Sequence, residues 1–445
     1  MTGPARRDDQ LGLRGAHQTV PLALADDGFD WPAAAKPGET ALLRLGVEAT
    51  ARGRLLAPSL EVAAGGVSFR QYFERGARGQ RHLNLSPLLA GESAPARGAR
   101  IGLRSASLRW RPEAELVLCD PPPVEGAAIL VLAPHPDDAE IAAFGLYADR
   151  SPSPWVATVT AGERGAAPVG AVVPEREQRA VWKAELRVWD SLNIPQLGGV
   201  EPERCLNLVY PDGQLESMHR APGRPFLLVC EDRLPRAALR ARNRAQPFRE
   251  ADGACTWGSL VGDLARLLEL SRPTVVVCPH PVLDAHSDHV FTAVALDEAL
   301  GDGSDGVTLL LYAVHRAGWD LHPFGPRRAV VSVWPWTDGT WIADAIYSHP
   351  LSKRTQHGKY FAIEAGHDMR PFRGHDGVRL GRFPRTAARE IVDLYDDLTY
   401  RSDNRLRRAP RPNEIYYVAS RRSFRELVAR ALGEPRRPPP NPGTS

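Results

Sequence analysis

The chain has 445 residues, of which 43% are hydrophobic and 24% charged, with a formal net charge of +3. That length exceeds one ordinary core and implies two domains, and the composition is globular rather than disordered or fibrous. The near balance of charge, with arginines spread throughout and no basic stripe interleaved with aromatics, excludes nucleic acid as an expected partner.

Residues 1–30 are polar and rich in Gly, Ala and Asp, and are expected to be loosely ordered. Met1 to Pro21 has no apolar segment of the kind a secretory signal needs. Residues 31–120 read as a β-sandwich-like accessory domain. Short alternating runs at 41–45, 60–63, 67–72, 106–110 and 114–118 are separated by Gly and Pro, with no long helix between them. Tyr72, Phe73 and Trp110 fit its core. Asp120-Pro-Pro-Pro-Val124 is a stiff boundary, with the linker at 121–126.

From 127 to 432 the period changes. Strands at 129–133, 155–160, 206–209, 274–279 and 308–312 alternate with helices at 138–149, 174–190, 257–270 and 288–300. Pro174 opens the second helix, with Glu175 and Glu177 at its positive end. The fold class is therefore α/β: a doubly wound, mainly parallel, Rossmann-like sheet preceded by the smaller all-β domain. The first strand lacks G-x-G-x-x-G, so no dinucleotide is expected. An Arg- and Pro-rich insert at 213–256 reads first as a solvated lid, with an anion-binding wall as the alternative. The tail at 433–445 cannot pack a core and is expected to be disordered.

Five cysteines, at 119, 205, 230, 255 and 278, form no C-x-x-C pair and suggest no disulfide framework. Cys119, Cys205 and Cys278 lie in apolar runs and are expected to be buried thiols. No stretch approaches the roughly 18 apolar residues of a membrane helix, so a cytoplasmic protein without a membrane span is expected. The oligomeric state is not readable.

The chemistry gathers at two strand ends. Ile129-Leu-Val-Leu-Ala-Pro-His-Pro-Asp-Asp-Ala-Glu140 carries one His and two Asp residues just past a buried strand, where open α/β sheets place their sites. His135 and Asp138 share one side of a turn at spacing i, i+3. Thr274-Val-Val-Val-Cys-Pro279 is followed by His280, Asp284, His286, Asp288 and His289. A catalytic zinc site needs about three His or Asp ligands and one open position. His135, Asp138 and His289 supply them, for one Zn2+ per chain, with Fe2+ or another divalent ion also compatible. Asp137 is then the candidate general base. His286, as imidazolium, would stabilise an oxyanion or assist the leaving amine. Asp288 either fixes the tautomer of a neighbouring His or serves only as a helix N-terminal carboxylate. Glu163 orients the site or caps its loop, and Asp212 contacts substrate or only marks a turn. His280 reads as a turn residue. His315, His349, His357, His367 and His375 show no ligand spacing.

Pro134-His-Pro-Asp-Asp-Ala-Glu140 with His286-Ser-Asp-His289 resembles the A-H-P-D-D-E and H-x-D-H signatures of the PIG-L/LmbE family of zinc-dependent de-N-acetylases. Thr160-Ala-Gly-Glu-Arg-Gly165, Tyr210-Pro-Asp-Gly-Gln-Leu215 and Asn413-Glu-Ile-Tyr416 resemble further family segments, so that the resemblance runs from about 125 to 420. The chain departs from the family in two places. Ala139 precedes the acid Glu140, and the family's R-x-x-E pattern is blurred here among Arg176, Arg179 and Glu185. The resemblance implies a hydrolase that removes acetyl from an N-acetylated amino sugar, such as an N-acetylglucosamine glycoconjugate, and makes the substrate contact of Asp212 a sugar hydroxyl. An amidase acting on another amide, or an inactive glycan-binding protein, are the alternatives.

Overall fold

The structure, a computed structural model, describes residues 6–15, 17–32, 35–91, 94–165, 173, 175–250, 254–302, 306–316, 322–369 and 408–433. Pro174, His375 and the tail from 434 fall outside the described residues. The chain divides into two compact units: Met1–Pro122 with Leu321–Gln356 and His375–Tyr417, and Pro123–Asp320 with His357–Gly374 and Val418–Ser445.

The first unit holds β1 (Gly12–Leu13), β2 (His17–Ala23), β3 (Gly28–Asp30), β4 (Thr40–Ala49), the short helix α1 (Ala51–Leu55), β5 (Ser59–Ala64), β6 (Val67–Tyr72), β7 (Arg78–Asn84), β8 (Arg100–Arg104) and β9 (Leu108–Cys119). Two four-stranded sheets form, ordered β2-β9-β4-β7 and β3-β8-β5-β6. Leu43, Leu45, Leu116 and Leu118 from one and Phe29, Leu60, Val62, Ile101 and Leu103 from the other share one apolar core, with Phe73 and part of Trp110. Tyr72 packs instead with Ala57 and Ala329.

Two expectations change here. Residues 17–23, in the stretch expected to be loose, pair with β9 over seven positions. The separate runs at 106–110 and 114–118 are one strand, although Pro112 lies inside it. Proline removes a ladder hydrogen bond and is tolerated at a bulge. The β4–β9 register shifts between Leu45 and Val47, opposite that point. A Cβ on the intervening Gly46 would lie 3.0 Å from the Arg111 side chain.

The second unit holds β10 (Ile129–Ala133), α2 (Asp138–Arg150), β11 (Trp155–Thr160), α3 (Arg176–Asn193), β12 (Cys205–Tyr210), α4 (Leu215–Arg220), α5 (Arg236–Arg240), α6 (Trp257–Ser271), β13 (Val275–Pro279), α7 (Ser287–Leu300) and β14 (Thr308–Tyr312). Its strands run parallel in the order β12-β11-β10-β13-β14. Every residue of β10 and β13 is buried, as β-branched runs in a sheet covered on both faces should be. The order reverses between β10 and β13. The crevice at the carboxyl ends of those two strands is where such sheets bind ligands.

The 213–256 insert is anchored to the fold at part of its length, while Arg220, Arg224, Arg233, Arg242 and Arg244 stay exposed. Leu215, Met218, Leu239 and Phe248 are fully buried, and so are Arg236 and Arg240. The two guanidiniums donate to the carbonyls of Leu208 and Val209, and Arg240 also pairs with Asp263. Those donors are spent inside the fold, so they build no anion-binding wall. All five cysteines are free and buried. Among the described residues, no helix is long and apolar enough to cross a membrane.

Candidate metal centre

The loops leaving β10 and β13 meet. His135 Nδ1 lies 3.2 Å from Asp138 Oδ2, His289 Nε2 lies 3.1 Å from the same oxygen, and the two ring nitrogens are 3.3 Å apart. Donors on a tetrahedral ion with bonds of about 2.0–2.1 Å stand about 3.3–3.4 Å from one another. The three atoms therefore already form one face of such a site. His135, Asp138 and His289 are all buried.

Each imidazole is tied from behind. Asp284 Oδ2 accepts from His289 Nδ1 at 3.0 Å and from the amides of Val314 and His315. That bond places the proton on Nδ1 and leaves the Nε2 lone pair facing the centre. His135 Nε2 faces Asp288 Oδ2 at 3.3 Å and Asp212 Oδ1 at 3.4 Å, which frees its Nδ1 in the same way. Asp288 therefore serves His135 and not His286. Its carboxylate also accepts from Gly213 N and Leu215 N, so it is no mere helix-end charge.

The electrostatics favour a cation. Burial opposes charge on both rings, yet the surrounding carboxylates outweigh it. Asp138 and Asp284 push His289 up to about 9, and Asp138, Asp212 and Asp288 hold His135 well above its ordinary value. Burial likewise opposes the Asp138 carboxylate, and the two imidazoles still keep it well below the usual range. The field that holds those protons would hold a divalent ion in their place.

Asp137 precedes α2 but makes no side-chain cap there. Its Oδ1 instead accepts from Arg187 Nη2 at 3.1 Å, and Arg187 also pairs with Asp368. Burial raises the Asp137 carboxyl, with Arg187 opposing the shift. Lys183, one turn before Arg187 on α3, lies 3.0 Å from Asp368. A Cβ on Gly162, at φ +64, would sit 2.4 Å from Arg187 Nε, so this glycine makes room for the guanidinium.

His286 is the N-cap of α7. Its Nδ1 accepts from Asp288 N at 3.2 Å, so the neutral ring carries its proton on Nε2. Burial, with His135 and His289 nearby, lowers it to about 4. The expected imidazolium is replaced by a neutral N–H donor. The ring centre stands 4.6 Å from that of His135 and 5.3 Å from that of His289.

Glu163 is buried and accepts from the amides of Asp212 and Val229, as a loop-capping carboxylate does. Burial and Asp212 raise it to about 7. Asp212 Oδ2 accepts from Arg164 N at 3.0 Å. It follows Val209, whose φ of 56° is strained for a β-branched residue. Asn207 holds the Val209 amide and Arg236 its carbonyl. His280 Nδ1 accepts from Val282 N and Leu283 N and is a turn residue.

Sequence reasoning named Asp284 and His315 without giving them a role at the centre, and did not single out Arg187, Lys183 or Asp368. The His315 ring lies 4.9 Å from that of His289. One signal was present: Lys183 and Arg187 fall on the stripe of Ala180, Ala184, Val188 and Ser191 that α3 buries. Neither Arg176 nor Arg179 pairs with Asp137.

Residues 130–300 match the model of the family described as PIG-L: GlcNAc-PI de-N-acetylase. Among curated proteins no sequence matches the chain. Solved structures similar to it include N,N'-diacetylchitobiose deacetylase from Pyrococcus horikoshii, at 14% identity and TM-score 0.33, covering 66% of this chain and 84% of that one. Another is the zinc-inhibited form of teicoplanin deacetylase Orf2, at 13% identity and TM-score 0.33, covering 65% and 97%. A third is GalB, the 4-carboxy-2-hydroxymuconate hydratase of Pseudomonas putida, at 15% identity and TM-score 0.31, covering 66% and 95%. The resemblance at Asn413-Glu-Ile-Tyr416 lies outside the matched stretch, and there Asn413 bonds Val331 and Ser348 within the first unit. Residues 130–300 are a PIG-L family domain.

Proposed function

We propose that the protein is a metal-dependent hydrolase that removes the acetyl group from an N-acetylated amino sugar or glycoconjugate. The observation that carries this is the triangle of His135 Nδ1, Asp138 Oδ2 and His289 Nε2, with sides of 3.1–3.3 Å, beside a carboxylate that caps no helix. The family match supports the amide chemistry and the sugar preference. The parallel strand order supports the doubly wound, Rossmann-like reading of the catalytic domain.

His135, Asp138 and His289 would hold one ion, with zinc first and Fe2+ compatible. A bound divalent ion supplies a lowered water pKa and a polarised carbonyl. Asp137 takes the proton of the attacking water and returns it to the leaving amine. Arg187 holds that carboxylate in place, Asp368 pairs with Arg187, and Lys183 pairs with Asp368. His286 donates its Nε2–H to the oxygen on which charge develops. Asp284 and Asp288 fix the two ligand tautomers. Asp212, whose side chain keeps 14% exposure, is the proposed contact to a substrate hydroxyl, and Glu163 anchors the loop that presents it.

The test is acetate release from N-acetylhexosamine conjugates by chelated protein, with and without added zinc. Hydrolysis of other amides but not of these would give the amidase alternative. No release under any condition would leave only a glycan-binding protein.

Two variants probe the residues around the centre. Asp284→Asn should weaken zinc binding by about 10- to 100-fold, because both carboxylate oxygens accept hydrogen bonds and the amide supplies one neutral acceptor where His289 met a charged one. Titration against a competing chelator measures this, and unchanged affinity would refute the role. His286→Ala should lower kcat by roughly ten- to a thousand-fold with KM and zinc content little changed. If zinc is lost as fully as in a ligand variant, His286 is a fourth ligand instead.

A further inference from the structure

The outward face of the β3-β8-β5-β6 sheet carries a row of charge that the catalytic reading does not use. Glu61 on β5 stands in register with Arg104 on β8 and with Arg70 on β6. Leu60, Val62 and Leu103 alternate with them and point into the core. Two cavities flank the row and share Glu61, Arg70 and Tyr72. One, of about 440 Å³, is also lined by Arg52 and Arg104. The other, of about 640 Å³, is also lined by Arg328 and Lys353. Glu61, the only acid in either lining, is already paired with Arg70 at 2.5 Å. Arg52 and Arg104 have no acidic partner among the described residues.

We propose that this groove binds an acidic polysaccharide, a chain bearing uronate carboxylates. Arg52, Arg104 and Lys353, beside a single acid that Arg70 already pairs, leave an excess that an anionic ligand would neutralise. Guanidiniums match carboxylates in a planar, two-bonded geometry. Ser59 and Ser68 line the cavities and offer hydroxyls to sugar hydroxyls, whereas the Ser105 and Ser107 hydroxyls are bonded within the sheet. Single-stranded nucleic acid stacks its bases on exposed aromatic faces, whereas Phe69 packs on the core and Tyr72 is buried. Two adjoining cavities suit successive residues of a chain better than a single small anion.

The test is affinity electrophoresis of the full-length protein in gels containing polygalacturonate, dextran or duplex DNA. Retardation by polygalacturonate alone is expected, weakening with salt. Arg52→Ala with Arg104→Ala, both exposed, should weaken it by roughly five- to thirtyfold, with acetate release from a small N-acetyl sugar unchanged. The wild-type comparison of polygalacturonate with dextran needs no variant to fold. No retardation, equal retardation by dextran, stronger retardation by DNA, or retention by the double variant equal to wild type would each overturn the proposal. Failure of the deacetylase reading would show instead as absent acetate release and would leave this result untouched.

Discussion

Asp137→Asn is expected to keep the fold and the metal while lowering turnover by a factor on the order of a hundred or more. The amide side chain fills the same space and can still meet Arg187 through its oxygen, but it cannot take a proton. The carboxyl is raised by burial, so protonation disables it as the pH falls and should shape the acid limb of the rate profile. That limb should change in the variant, while zinc content and the unfolding temperature stay near wild type. Near wild-type turnover would make Asp137 structural and move the base elsewhere, with Glu163 next.

His289→Ala should abolish stoichiometric zinc, from about one ion per chain to little bound at micromolar metal, and acetate release with it. The substitution removes one of three donors and also strands Asp138 and Asp284, both buried. A second readout is the pH dependence of stability in chelated protein. His289 is raised from 6.5 to about 9, so its contribution is fully present below pH 6.5 and lost as pH rises through about 9. Chelated wild type should weaken across that window, His289→Ala should lose this part of the slope, and bound zinc should suppress it. Full zinc occupancy in the variant would remove His289 from the ligand set.

The α/β pattern was legible because its strands are unbroken apolar runs and its helices are long. The five parallel strands from β10 to β14 follow the predicted segments to within one residue, and the helix predicted at 174–190 runs over Arg176–Asn193. The juxtaposition of 135–138 with 286–289 was legible for the same reason, since both segments follow strands and a reversal of strand order brings them together. Strands β7 and β8 were not seen. Arg78-Gly-Gln-Arg-His-Leu-Asn84 shows no alternation, and its burial comes from neighbours in the sheet. Within the insert, the burial of two arginines was not legible, because an arginine looks solvated in sequence, whereas Arg236 and Arg240 each satisfy carbonyls left by a strained strand end. The support of Asp137 was invisible for another reason: Arg187 lies 50 residues away and Asp368 a further 181, so no local spacing records the contact.

That last contact bears on where this chain can be cut. The family match stops at 300, and a fragment ending there would keep every proposed ligand and the proposed base. It would lose Asp368, leaving Lys183 and Arg187 as two adjacent cations with one acid between them. Such a fragment should still load zinc yet turn over slowly, because Arg187 would be free to swing away from Asp137. The boundary of the proposed catalytic unit is thus drawn by a counter-ion rather than by the motif, and a truncated or chimeric chain should run through at least Met369.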